Sequence, residues 1–587
     1  MAPVDEEGFG NSPIASPIAQ PVLDGLGQLT VGFGMSKYTT RNFWAGLDNE
    51  YYTQVDDVKT LLGISGSDLS ARGNSHSTNS SGADATVKFC FGNSCDSTEP
   101  RHPSPDQVIA YWTTFKNNCD SLVKVLHVPT IEPVILQAAV DQDGMSHGLA
   151  ALTFAIYFSS VTSLSETECL HLFGVERSQL LQVYKLYTEQ ALSRAGLLVT
   201  HETLVLQAFV IYLASLRSYN DISTVSALTA MAVRLAYNFG LHRDGTHFSL
   251  SPFVTEMRRR LWWNIVVLDA RACEDSGYET SILHDKTDTK MPLNINDEDI
   301  TQDMVQFPRP KVGSTDMIFC LERFKAIDTI RRLQETSAGT IGSCGKLHAE
   351  SSLARKSAWI SEYQAELQNV FLEYSDLSKP YNWYIALASR ILLSKMWLIA
   401  YYPYLGGKAC GGLSRDAKDS LFMRAISVIE SHLLLCTGEP TRQWSWLCIT
   451  NVQWYALTFV LSELCERTQG PLVQRAWDAV NATLQLCSST QSAIGQLRPD
   501  EGTSDQNVEG LASTELHPLN RLLGRARLAR ERGLGSEYSP VTRLSTASCD
   551  METPYDHIVN NPLCNQLDDG MHTWLGEGLA QGGAGSQ

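Results

Sequence analysis

The sequence predicts an all-α protein, a large irregular array of helices, and three observations carry that prediction. An apolar stripe at i, i+3, i+4, i+7 spacing runs through Leu228, Met231, Ala232, Leu235, Ala236 and Phe239 and stops at Gly240. Paired start signals, a capping serine followed by proline, stand at Ser104–Pro105 and Ser251–Pro252. Alternation of β-branched residues is scarce, so no sheet is expected.

The elements follow in order. Residues 1–35 carry Pro, Gly, Ser and Gln with little periodicity and read as disordered. Residues 36–101 read as short helices over Tyr38–Leu62 and a linker rich in Ser, Gly and Asn. Residues 102–495 form the helical body, opening with His102–Phe115. After Gly240 comes a short polar turn, then a long helix with Phe253, Met257, Leu261, Ile265 and Leu268 on one face and Glu256 within i, i+4 reach of Arg260. Ser389–Tyr404 and Asn451–Thr468 are apolar with narrow polar breaks, the pattern of helices buried on most sides. Residues 496–535 read as a loop and a basic helix, with Arg521, Arg525, Arg527, Arg530 and Arg532 beside Leu522, Leu523 and Leu528. Residues 536–587, with 7 acidic side chains and 1 basic, read as a disordered acidic tail. No repeat of fixed period is visible, which an irregular helical array does not require.

Composition narrows the function. Over 587 residues, 43 % are hydrophobic and 19 % charged, enough to bury a large core. The net charge of −18 makes the whole chain a poor ligand for phosphate backbones, where Lys and Arg supply most of the affinity. The 14 cysteines form no CxxC pair, which favours reduced, mostly buried thiols over a structural zinc site. No run approaches 18 uninterrupted apolar residues, so no membrane span is expected. The N-terminus, MAPVDEEGFG, lacks the apolar segment of a signal peptide.

Motifs of familiar enzymes are absent: there is no GxSxG, HExxH, GxxxxGK[ST] or GxGxxG. His242 and His247 flank Asp244, which suggests a metal, but a turn between helices gives those residues capping roles first. No cofactor or metal is expected. Arg258, Arg259 and Arg260 stand beside Trp262 and Trp263, an arrangement that can serve a nucleic-acid or acidic-partner surface. Consecutive helical residues point about 100° apart, so the three do not make one stripe. Pairing with internal carboxylates such as Asp269 or Glu274 is the favoured reading. Asp269, Arg271, Glu274 and Asp275 read as a polar network fixing helix ends, with a ligand site as the alternative. The basic helix reads as a nuclear import signal, a DNA-backbone contact or a solvated amphipathic helix. The tail, with Asp568, Asp569 and Trp574 among its mixed acidic and apolar residues, suits an activation segment or a solvating tail.

Four stretches together resemble the middle homology domain of fungal zinc-cluster transcription factors of the kind found with metabolite gene clusters. They are GLHRDG (Gly240–Gly245, including Leu241, His242, Arg243 and Asp244), LSPFVTEMRRRLWW (Leu250–Trp263), LDARACEDSG (Leu268–Gly277) and MPLNINDEDI (Met291–Ile300). The resemblance extends from about 38 to 480, with a departure at Tyr455, where relatives often carry His. It implies an all-helical regulatory domain controlling a separate binuclear zinc cluster made by six cysteines in two CxxC-containing halves. That pattern is missing here. A truncated gene model, a regulator that reaches DNA through a partner, and a domain drifted to another role all remain open. The resemblance implies a non-catalytic nuclear regulator with protein partners, a possible small-molecule effector, DNA contact only indirect or through another domain, and no membrane. The rival readings are an interaction protein that never meets chromatin and, further off, an enzyme on a helical scaffold.

Overall fold

The computed structural model describes residues 28–32, 35–39, 100–141, 144–218, 222–276, 280–282, 286–338, 346–401, 415–495 and 517–535. The expected helices of 38–62, the linker, the loop after 495 and the acidic tail lie outside these residues. The described body is all-α, as predicted, with one exception. Gln28–Gly32 (β1) and Met35–Thr39 (β2) pair as an antiparallel hairpin, Leu29 opposite Tyr38 and Val31 opposite Ser36. This corrects the reading of no sheet and of a structureless 28–35. The two runs stand two residues apart with Gly34 between them, the spacing of a tight hairpin.

The first layer is built on α1 (Pro105–Phe115), α2 (Val128–Val140), α3 (His147–Ser163), α4 (Glu166–Phe173), α5 (Arg177–Arg194) and α6 (Thr203–Leu216). Ser104 and Pro105 start α1 as the sequence predicts, and the Gln107 side chain reaches back to the Ser104 amide at 3.3 Å. Helix α3 is buried along nearly its whole length between α1, α5 and α6. Its hydroxyls are satisfied inside the helix, Ser160 Oγ donating to the Ile156 carbonyl at 2.7 Å, so burying them leaves no unmet donor there.

α7 (Ile222–Asn238) carries the predicted stripe and ends as predicted. Gly240 takes φ +66°, its amide donates to Tyr237 O and the Leu241 amide to Ala236 O. That is the Schellman closure, which an L side chain resists at the left-handed residue. α8 (Pro252–Ser276) starts at Ser251, whose hydroxyl accepts from the Val254 amide. From Thr255 to Val267 only Arg258 escapes full burial, so α8 is a core helix, more enclosed than a single apolar face implies.

The second layer consists of α9 (Ile318–Ala338), α10 (Lys346–Val370), α11 (Pro380–Tyr401), α12 (Arg415–Thr437), α13 (Ser445–Ile449), α14 (Trp454–Glu466), α15 (Pro471–Gly495) and α16 (His517–Gly535). α8 packs on α7 and α9, α9 on α11, α11 on α12, α12 on α14 and α15, and α14 on α16. One apolar core runs unbroken from Val108 to Ala526. Helix α11 is long and apolar enough to cross a membrane by composition, yet two thirds of its most apolar stretch is buried by neighbouring helices. On the basic helix α16, Leu522, Leu523 and Ala526 are buried while Arg525, Arg527 and Arg532 face water, the amphipathic arrangement.

Candidate functional site: two buried charge networks joined by one helix

The arginine run of α8 sends its three side chains to three places. Arg258 Nη2 donates to the Phe239 carbonyl at 2.8 Å, satisfying an orphan acceptor at the C-terminus of α7. Arg259 grips Asp244 with two parallel bonds, Nε to Oδ2 at 2.8 Å and Nη2 to Oδ1 at 2.9 Å. Arg260, fully buried, bonds Glu256 at 3.4 Å and Asp297 at 2.6 Å. The expected i, i+4 pair of Glu256 and Arg260 is therefore present. The expected pairing with Asp269 or Glu274 is not: the partners are Asp244, Glu256 and Asp297. The 100° step between neighbours separates the three directions, and α8 is covered on each side that they reach.

Asp244 is the hub of the turn. Its carboxylate also accepts from the Thr246 amide and hydroxyl and from the Lys290 amide. Burial pushes the carboxyl up, and the bonds from Arg259, Thr246 and Lys290 outweigh burial and hold it well below the usual range. The Asp244 amide donates to Asp288, whose other oxygen meets Arg243 at 2.9 Å. Leu241, buried, gives its carbonyl to the Thr289 hydroxyl. Gly245 lies where a Cβ would meet Thr255 Oγ1 at 2.6 Å, so a larger residue forces α8 off the turn. The ring of His242 packs against Tyr237, and His247 sits 3.5 Å from Asp288. Asp244 is thus committed to arginine and backbone donors. Among the described residues no group of three or more His, Cys, Asp or Glu is placed to hold a metal. Leu261 and Trp262 fill the core, and Trp263 Nε1 donates to the Lys290 carbonyl at 3.0 Å.

Asp297 extends this network into the first layer. It accepts from Lys124 at 2.8 Å and from the Val128 amide at 2.9 Å, while Lys124 also bonds Asp120. Burial lifts Asp120 to about 6 against the pull of Lys124, whereas Lys124 and Arg260 overcome burial at Asp297 and draw it down to about 2. The π-helical turn Lys116–Asp120 places Asp120 beside this pair.

The other end of α8 holds the second network. Arg271 bonds Glu274 at 2.5 Å and reaches Asp275 at 3.5 Å. Asp275 binds Arg217 at the end of α6, and Glu274 binds Lys395 of α11. Arg217 also donates to Asn451 at 3.1 Å. Asp269 stands apart, accepting from the Ile282 amide at 3.2 Å. Burial lowers Lys395 in spite of Glu274, and lowers Arg217 to about 10 in spite of Asp275.

Comparison with known proteins places this geometry. Residues 110–372 match the fungal specific transcription factor domain. This chain carries that domain. Among similar proteins, the aurofusarin cluster transcription factor aurR2 of Gibberella zeae is 29 % identical over 81 % of this chain and 73 % of its own length. Transcriptional regulator AacuB of Aspergillus aculeatus is 29 % identical over 66 % and 53 %, and the pyriculol/pyriculariol biosynthesis cluster transcription factor 1 of Pyricularia oryzae 28 % over 65 % and 51 %. The chain thus spans about half the length of the latter two. The family and the relatives' names are those of transcription regulators, not enzymes.

Within the fungal transcription factor domain both networks use α8, and each draws on residues the motif reading missed. Asp120 and Lys124 lie far upstream of the motif, and Arg217, Lys395 and Asn451 come from other helices. Only burial-worthy charges in apolar surroundings, such as Lys395 in SRILLSKMWLIAYYPY, could have flagged them.

Proposed function

We propose that this chain regulates transcription of a secondary-metabolite gene cluster from the nucleus, as a helical control module. DNA contact comes through a partner or another domain, and regulation passes through protein partners and a small effector. The carrying observation is that the motif's charged side chains are spent inside the fold: Arg259 on Asp244, Arg260 on Glu256 and Asp297, Arg271 on Glu274. A surface that neutralises phosphates needs free Lys and Arg, and a catalytic constellation needs a nucleophile and base in reach of a reacting atom. This arrangement supplies neither at the motif. It supplies rigid coupling of helix ends, the element a relay between a sensing region and an output region requires.

The test is transcript measurement across the gene's chromosomal neighbourhood in a deletion strain and in one carrying a tagged copy. Coordinate change of a contiguous set of biosynthetic transcripts, with the tagged protein in nuclei, is the expected result. Unchanged transcripts with the protein confined to the cytosol contradict the proposal. Tight, sequence-specific duplex binding by the purified chain at physiological salt contradicts the partner-dependent part alone.

A further inference from the structure

The two networks differ in their charge balance. Around Asp244 and Asp297, three cations (Lys124, Arg259, Arg260) face four carboxylates (Asp120, Asp244, Glu256, Asp297), and burial favours the protonated form of one of the four, Asp120. That network neutralises itself. At the other end of α8, Arg217, Arg271 and Lys395 face only Glu274 and Asp275. Arg323 of α9 adds a fourth cation close enough to repel both Arg217 and Arg271. Among the described residues no carboxylate pairs with Arg323. It donates to the Leu122 carbonyl at 3.1 Å and stands 5.3 Å over the Phe319 ring. Arg271 Nε, buried, has no hydrogen-bond partner.

Two positive charges in excess, held among packed helices, are costly unless an anion joins them. The side chains also keep a fringe of accessible surface at the heart of the contact, 12 % for Arg217 and 14 % for Glu274, so they line a recess. Its walls are aromatic: Phe319 lies 5.4 Å from Tyr384, and the Tyr455 ring lies 5.7 Å from Lys395 Nζ. Burial lowers the proton affinity of Arg217, Arg323 and Lys395, as expected of cations short of counter-charge.

We propose that the recess between Arg217, Arg271, Arg323 and Lys395 binds a small aromatic carboxylate, which serves as the effector of the module. The carboxylate completes the charge balance with Arg323 and the free Nε of Arg271, and its ring lies against Phe319, Tyr384 and Tyr455. This rests on the reading of the chain as a regulator. The ligand bridges α6, α8, α9 and α11, so its binding stiffens the junction of the two layers.

Isothermal titration calorimetry and thermal unfolding of the full chain provide the test, with phthalate and benzoate as probes and benzamide and sodium chloride at matched ionic strength as controls. Saturable binding of the carboxylates with a rise in unfolding temperature is expected, with neither from the controls. Arg323→Gln is expected to weaken phthalate at least tenfold, and Arg323→Lys to retain most of the affinity. If Arg323→Gln does not fold, Lys395→Met, expected to weaken phthalate likewise, carries the comparison. No saturable binding, equal stabilisation by benzamide or chloride, or unchanged affinity in the folded variant overturns the site. Transcripts that respond to deletion while no carboxylate binds sink the site and leave the regulator standing, whereas unresponsive transcripts count against the regulator itself.

Discussion

Arg259 and Asp244 are held in a bidentate pair whose carboxylate is fully buried and whose guanidinium is nearly so. Removing one partner of such a pair strands the other's charge, which typically costs about 3–5 kcal/mol. Asp244→Asn is expected to destabilise the protein by about that amount in chemical unfolding. A surface carboxylate in the same test moves stability by under ~0.5 kcal/mol. The carboxylates also set the acid response. Asp244 and Asp297 titrate below the ordinary range, so their stabilisation is present above about pH 4, the unfolded value, and is lost as pH falls through their folded values. Asp120 is raised to about 6, so its favourable contribution is full below about pH 4 and disappears as pH climbs through 6. Asp120→Asn is therefore expected to flatten the stability profile between pH 4 and 6 while leaving the loss below pH 4 in place. A profile unchanged in the upper window contradicts the assignment.

At the scale of elements, the junction from α7 to α8 depends on local signals, and these were legible. Gly240 and the Ser251–Pro252 start are read from a few adjacent residues because capping is a property of adjacent residues. Gly240→Ala puts an L residue at φ +66°, where its Cβ would come no closer than 3.7 Å to Arg258. The expense is therefore conformational, about 1–2 kcal/mol, and is expected as a lowered unfolding midpoint with unchanged helical content. The i, i+4 pair of Glu256 and Arg260 was legible for the same reason. The bond from Arg260 to Asp297, 37 positions on, was not. Periodicity within one helix says which face a residue takes and nothing about which distant segment covers that face. The hairpin of 28–39 was overlooked because two five-residue strands carry little periodic signal in a Gly-rich stretch.

The whole molecule shares one apolar core, and its second layer is no appendage to the first. The family match ends at residue 372, yet Glu274 inside it needs Lys395 beyond it, and Trp444 and Trp446 donate from the second layer to carbonyls of Asn117 and Asn118 in the first. A fragment ending at 372 is expected to lose fixed tertiary packing, seen as a weakened near-ultraviolet dichroism signal and rapid proteolysis, while a fragment through 535 keeps both. A stable, protease-resistant fragment ending at 372 contradicts a single cooperative core. The all-α class and the family were legible because helical spacing and motif blocks survive at the level of sequence. Which helices share the core was not, since contacts between distant helices leave no local pattern.

The account turns on the arginine run facing inward. A double-mutant cycle on Asp244→Asn and Arg259→Gln, followed by urea unfolding, measures this directly. The prediction is two costly single changes coupled by about 1–3 kcal/mol, so that the double variant is far less destabilised than their sum. Two near-neutral single changes that simply add place the pair on the surface and contradict the account.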